Sequence, residues 1–148
     1  MGQNNWIWRS DHLIGSDINA GRRVLDELLG QLRSHRWDHR DVFGVHLAME
    51  EALVNAIRHG NREDPRKRVE VHCRLAENKV KVEIADEGPG FDANQVPDPT
   101  DAKHRELPAG RGLLLMRTFM SRVTYEDQGR KVILEKDRNG KVPGPGAE

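Results

Sequence analysis

The stretch Met49-Glu50-Glu51-Ala52-Leu53-Val54-Asn55-Ala56-Ile57-Arg58-His59-Gly60 carries two patterns at once. Its apolar members Met49, Leu53, Ala56 and Ile57 continue a stripe begun by Val42 and Val45, the spacing of a helix face turned to a core. The spacing predicts a helix from about Asp41 to His59, ended by Gly60 and Asn61 as glycine ends helices at a C-cap. Glu51, Asn55 and His59 recur every four residues and form a second stripe. At about 100° per residue, that stripe lies well away from the Val42, Met49 and Leu53 face. A carboxylate, an amide and an imidazole can therefore point together into a cleft. The Asn55 amide oxygen is a hard ligand suited to Mg²⁺, which keeps several waters and borrows phosphate oxygens. Glu51 can accept a proton from a hydroxyl or water attacking a phosphate. A solvated polar face accounts for the same triplet, and His59 at the helix end suits a structural role as well as a ligand contact.

Upstream, Asn4 to His12 reads as a strand with Trp6 and Trp8 on one face and Ile7 on the other. The two tryptophans suit packing on a sheet or an oligomer contact. Gly15-Ser16-Asp17 breaks the strand and offers Ser16 or Asp17 as an N-cap. Ile18 to His35 follows as a helix with Val24, Leu25, Leu28, Leu29 and Leu32 inward. Downstream, Asn61 to Lys67 is a loop. Val69 to Leu75 and Lys79 to Ala85 alternate and pair around Glu77-Asn78 as a hairpin. Arg122 to Glu126 and Lys131 to Glu135 pair around Gln128-Gly129 in the same way. Helices covering one face of a mainly antiparallel sheet, an α+β two-layer sandwich, follow most simply from this order.

Two glycine-rich segments interrupt the pattern. Asp86-Glu87-Gly88-Pro89-Gly90 comes straight off a strand. There Asp86 can accept a hydrogen bond from an exocyclic amine, and Gly88 and Gly90 permit close approaches. An ordinary tight turn fits the same residues. Gly110-Arg111-Gly112-Leu113 opens a third helix running through Met116 and Met120. Backbone N–H groups at such a start make an anion site, and the Arg111 guanidinium can pair with a phosphate. A glycine loop entering a core helix is the plainer account. Between the two lies Asp92 to Ala109, irregular and proline-containing, of a length that suggests a lid. Lys103, His104 and Arg105 within it can reach phosphates or simply face solvent. No G-x-x-x-x-G-K-[ST] motif occurs.

The 148 residues bring 24 Lys plus Arg against 24 Asp plus Glu, a formal net charge of zero. That argues against a nucleic-acid-coating or polybasic membrane surface. No apolar run approaches the ~18–20 residues that span a bilayer. Cys73 is the only cysteine, which rules out an internal disulfide and suits a buried strand position in a reducing cytoplasm. The other histidines show no shared metal-ligand spacing. Five of the eleven residues from Arg138 to Glu148 are Gly or Pro, so residues 1–137 are expected to form one domain and 138–148 a tail without fixed structure.

Taken in order, Glu51-x-x-x-Asn55…His59-Gly60, Asp86-x-Gly88-x-Gly90, a lid, and Gly110-x-Gly112-Leu113 resemble the N, G1 and G2 boxes of the GHKL (Bergerat-fold) ATPase and kinase superfamily. The likeness covers roughly Asp41 to Glu135. Within that group the Met49–Gly60 stretch and Gly110-Arg111-Gly112-Leu113-Leu114-Leu115-Met116-Arg117-Thr118-Phe119-Met120 resemble the anti-sigma-factor serine kinases of the RsbW/SpoIIAB type. The resemblance implies ATP or ADP and Mg²⁺ as cofactors, with Asn55 on the metal and Glu51 as general base. It implies Asp86, Gly88 and Gly90 at the adenine, and His59, Lys103, Gly110, Arg111, Gly112 and Leu113 around the rest of the nucleotide. It further implies a sigma factor and a STAS-type anti-anti-sigma protein as partners, a homodimer, and no direct contact with nucleic acid or membrane. Ser121-Arg122 departs from the acidic pair that the family often carries after its third helix. Three other accounts stay open on the residues alone. They are an ATP-gated interaction module without phosphotransfer, a detached domain phosphorylating histidine, and a structural protein whose glycines are turns.

Overall fold

The computed structural model describes residues 5–90 and 108–139. Five strands, β1 (Trp8–Gly15), β2 (Arg68–Ala76), β3 (Lys79–Ala85), β4 (Arg122–Glu126) and β5 (Lys131–Asp137), form one sheet in the order β1-β2-β3-β5-β4. Every neighbouring pair is antiparallel. Three α-helices, α1 (Ile18–Ser34), α2 (His39–Val54) and α3 (Pro108–Phe119), pack on one face of it. The α+β two-layer sandwich expected from the element order is the observed fold.

Alternation explains the layering. Val69, Val71, Cys73 and Leu75 of β2, with Val80, Val82 and Ile84 of β3, are buried toward the helices. They meet Leu25, Leu28 and Leu32 of α1 and Val45, Met49 and Leu53 of α2. Each such side chain contributes about 1.5–3 kcal/mol on burial. The residues between them, such as Arg74, Lys81 and Glu83, form the opposite, charged face. Cys73 is fully buried, as a small apolar strand residue.

The structure moves several predicted boundaries. β1 runs Trp8–Gly15 rather than from Asn4 to His12, because it pairs with β2 from Trp8 opposite Leu75 to Gly15 opposite Arg68. The partner strand, not the tryptophan pattern, sets its length. Trp6 and Trp8 do share the inner side and Ile7 the outer. Asp17 is the N-cap of α1, accepting from the Asn19 N–H at 3.1 Å, while the Ser16 hydroxyl donates to the Lys67 carbonyl at 2.8 Å. α2 begins at His39, capped by Asp38. α3 begins at Pro108, two residues inside the segment expected as lid. A proline in the first turn loses nothing, since its N–H would have no partner there.

The largest correction concerns the long helix. The predicted run from Asp41 to His59 is α-helical only to Val54 and then widens into a π-helical turn, Asn55–Gly60. The Asn61 N–H donates to the Ala56 carbonyl at 2.9 Å, five residues back. Nor does Gly60 end the helix through a left-handed conformation. Positive φ falls on Arg62 (55°) and Glu63 (57°) instead. Gly60 is small because the Asp86 carboxylate carbon lies 2.5 Å from where its Cβ would stand.

Of the expected tail, Arg138 donates to the His35, Arg36 and Glu77 carbonyls. Residues 140–148 and 91–107, which include most of the Asp92–Ala109 segment expected as a lid with Lys103, His104 and Arg105, lie outside the described residues.

Candidate functional site

β3 ends at Ala85, and the chain then turns away from the sheet. β5 comes back beside β3 from the far side of α3, and its first residues reach the turn after β3, so the Asp86 N–H donates to the Arg130 carbonyl at 2.9 Å. Between this junction, the last turn of α2 and the π-turn, the sheet and helix layers part around a cavity of about 250 Å³. Its walls are Ala52 of α2, Asn55, Ala56, His59 and Gly60 of the π-turn, and Ile84 and Asp86 of β3 and the turn after it. Pro89, Gly90 and the β4–β5 hairpin residues Tyr125, Gly129, Arg130 and Val132 close it, with Arg62 at the rim. The lining is mostly apolar with a few polar groups, the usual make-up of a small-molecule site.

Asp86 is the polar group at its inner end. The Gly88 N–H donates to Asp86 Oδ1 at 2.8 Å. Burial pushes the Asp86 carboxyl above its ordinary value, against the Gly88 bond and the Arg130 and Lys67 charges that lower it. Gly88 backs directly onto the Gly60 carbonyl, leaving no room for a side chain. Gly90 has φ +82° and abuts the Gln128 carbonyl. The two glycines thus have distinct reasons, close approach for Gly88 and a left-handed backbone for Gly90.

A second group lies where α2 passes into the π-turn. A Cβ on Gly112 would stand 2.6 Å from Glu51 Oε2 and 2.9 Å from Asn55 Nδ2. Gly112 therefore lets α3 settle directly onto the carboxylate and the amide. Both Asn55 amide atoms are buried and have no hydrogen-bond partner among the described residues. Burial also raises the Glu51 carboxyl, opposed by the His59 charge and reinforced by that of Glu50. A carboxylate made more basic by desolvation, beside an amide with nothing to bond, is an arrangement with a chemical use.

Of the sequence-predicted residues, Asn55, His59, Asp86 and Gly90 meet at one cavity, and Gly88, outside its lining, packs against the Gly60 backbone. Glu51, Asn55 and Gly112 meet at its α3 side. Leu113 is instead a buried residue under α3. Gly110 and Arg111 lie in the first turns of α3 rather than ahead of it. Lys103 falls outside the described residues.

Sequence reasoning missed two contributors. Asn61, read there as a helix terminator, is 1% exposed. Its amide accepts from the Glu87 N–H at 2.7 Å and donates to Ser16 Oγ and the Arg68 carbonyl, both at 3.0 Å. It ties the π-turn to the loop after Asp86. The signal was its place beside Gly60, since a buried asparagine in a turn demands partners. The hairpin wall of Tyr125 and Arg130 had no local signal at all, because the β3–β5 pairing that brings it there spans the intervening helix.

The histidine kinase-like ATPase domain family matches residues 16–136. The serine-protein kinase RsbW of Bacillus subtilis is 29% identical over 111 residues, covering 70% of this chain and 69% of its own. The anti-sigma F factor of Clostridium beijerinckii is 33% identical over 106 residues, covering 67% and 73%. The serine/threonine-protein kinase BtrW of Bordetella bronchiseptica is 32% identical over 93 residues, covering 62% and 66%. The crystal structure of the RsbU and RsbW domains of Rv1364c from Mycobacterium tuberculosis superposes with a TM-score of 0.60 at 19% identity. It matches 88% of this chain and 31% of that one, a likeness of fold. The chain belongs to the histidine kinase-like ATPase domain family, and its relatives there include serine-protein kinases and anti-sigma factors.

Proposed function

We propose that this protein is an ATP-dependent serine kinase of the anti-sigma-factor type. It transfers the γ-phosphoryl group of ATP to a serine hydroxyl of a STAS-type anti-anti-sigma protein, and it binds a sigma factor. The P–O bond to ADP breaks as the bond to the serine oxygen forms, and the serine proton passes to Glu51. The observation that carries this reading is the pairing of a desolvated Glu51 with the unpartnered Asn55 amide beneath Gly112.

The buried Asn55 amide oxygen, without a partner among the described residues, supports Mg²⁺ as its ligand. Among the described residues no cluster of three His, Cys, Asp or Glu can hold a metal. A single hard amide oxygen, completed by phosphate and water, is the coordination Mg²⁺ accepts and a tight protein-only site is not. Asn55 would hold Mg²⁺, which would supply charge neutralisation in phosphoryl transfer. Asp86 accepts from the adenine amine, the Gly88–Gly90 loop shapes the base pocket, and Glu51 holds the hydroxyl proton. His59 stands at the cavity wall, and the family resemblance assigns Gly110 and Arg111 to the phosphates. In this reading the protein works as a cytoplasmic homodimer, without membrane or nucleic-acid contact.

The test is transfer from γ-labelled ATP with Mg²⁺ to a STAS-type protein, comparing wild type with Glu51→Gln and Asn55→Ala. Wild type is expected to yield acid-stable phosphoserine, and Glu51→Gln to lose about 10²–10⁴-fold in rate. Transfer unchanged in Glu51→Gln removes that residue from the mechanism. ATP binding with partner control but no transfer leaves an interaction module. Acid-labile product points to histidine as acceptor.

A further inference from the structure

The base pocket has a wall that no sequence motif announced. In the β4–β5 hairpin, Asp127, Gln128 and Gly129 take successive φ values of 52°, 56° and 83°. Three left-handed residues in a row turn the chain tightly, and Arg130 enters β5 facing the loop that follows Asp86. Its Nε donates to the Gly88 carbonyl at 2.8 Å, and Nη2 reaches the Pro89 carbonyl at 3.4 Å. Nη1 donates back to the Asp127 carbonyl and to Gln128 Oε1, both at 3.2 Å. The Arg130 carbonyl accepts from the Asp86 N–H, and Gln128 abuts Gly90. One residue thus binds both sides of the loop junction and belongs to the cavity wall.

This places a second anchor on the loop. From the helix side, Asn61 holds the Glu87 N–H. From the hairpin side, the Arg130 fork spans the Gly88 and Pro89 carbonyls. A planar guanidinium with its donors in fixed directions can hold two successive carbonyls and still brace its own turn, whereas an ammonium is a point charge on a flexible stem. The loop it braces lies against Asp86, the one acidic group in the cavity wall among the described residues, so its shape decides how the edge of a bound base meets that carboxylate.

Building on the nucleotide reading above, we propose that Arg130 is the positioning residue of the base pocket. By fixing the Gly88 and Pro89 carbonyls, it sets the selection of adenine over guanine nucleotides. Guanine presents a carbonyl where adenine presents an amine. A braced loop denies that carbonyl the small shift it needs to avoid the Asp86 carboxylate.

The experiment measures ADP and GDP binding to the full chain by calorimetry, together with Tm, for wild type, Arg130→Met and Arg130→Lys. Wild type is expected to prefer ADP. Arg130→Met is expected to lose about tenfold or more in ADP affinity while GDP affinity changes less, so that the preference narrows. Arg130→Lys, which keeps the charge but not the fork, is expected to fall with Arg130→Met. Wild-type selectivity in Arg130→Met overturns the proposal, as does full recovery in Arg130→Lys. Parallel loss of ADP and GDP binding with a large drop in Tm shows a merely structural role and overturns it too. If wild type binds ADP, only the role of Arg130 is at stake. If wild type binds neither nucleotide, the nucleotide reading itself fails and takes this one with it.

Discussion

Asn55 pays for its position. A buried amide that bonds to nothing among the described residues costs the ligand-free fold free energy, on the order of 1–3 kcal/mol for an unsatisfied group. Asn55→Ala should therefore leave the Tm of the ligand-free protein unchanged or higher, while removing the rise in Tm that ATP and Mg²⁺ produce. A thermal melt with and without nucleotide separates the two effects. Asp86 follows the same logic through its charge. Burial raises its folded pKa above the ordinary 3.8. A group shifted that way favours the fold below its unfolded pKa, and that contribution is lost as pH rises through the folded value. At pH 7 the ionised carboxylate is thus a cost. Asp86→Asn, whose amide oxygen can still accept from Gly88, should raise Tm at pH 7 and show no such advantage below pH ~3.8. Melts across that range check the sign.

At the scale of elements, the π-turn is the feature that matters most. Its extra residue brings Gly60 against Asp86 and Gly88, and π-turns inside helices often mark functional sites. Asn61 locks the turn to the loop after β3. Asn61→Ala strands the Glu87 N–H and the Arg68 carbonyl, and should cost about 2–3 kcal/mol in urea unfolding with a parallel loss of nucleotide affinity. Gly88→Ala drives a methyl into the Gly60 backbone, which cannot swing aside as a side chain can. It should cost about 2–4 kcal/mol, measured in the same way.

Across the whole molecule, one of the polar ties between the two layers is a buried ion pair. Lys136 continues the inward face of β5, yet it is 3% exposed. Its Nζ donates to the Phe119 carbonyl at the end of α3, at 2.8 Å, and lies 3.8 Å from Asp41 Oδ1. Asp41 also accepts from the Asn139 N–H at 2.8 Å. α2, α3 and the end of β5 therefore converge on one buried pair. Asp41→Ala leaves a buried cation without its partner and should cost about 3 kcal/mol or more. The double change Asp41→Ala with Lys136→Met should recover much of that loss, read from urea midpoints. On the outer sheet face, Lys79 and Arg122 bond Glu135 and hold its carboxyl below the ordinary range despite burial, as Lys81 and Lys131 do for Glu83. Carboxylates lowered in this way stabilise the fold above their unfolded pKa and lose that contribution as pH falls through the folded value.

Local patterning determined which face of each element is apolar, because that depends only on the period of the chain: alternation in β2 and β3, and the Val42–Leu53 stripe of α2. The layer order and the α+β class follow from it. So does the nomination of Glu51, Asn55 and Asp86, since residue chemistry and spacing are written in the chain. What the tertiary structure alone decided is how these groups meet. β1 took its length from β2, and α3 took its start ahead of Gly110. The α2 helix widened at Asn55, because Gly60 had to approach the turn after β3. Arg130 joined the pocket only because β5 lies beside β3. Each of these depends on contacts between residues distant in sequence, whose energies enter only once the layers have packed.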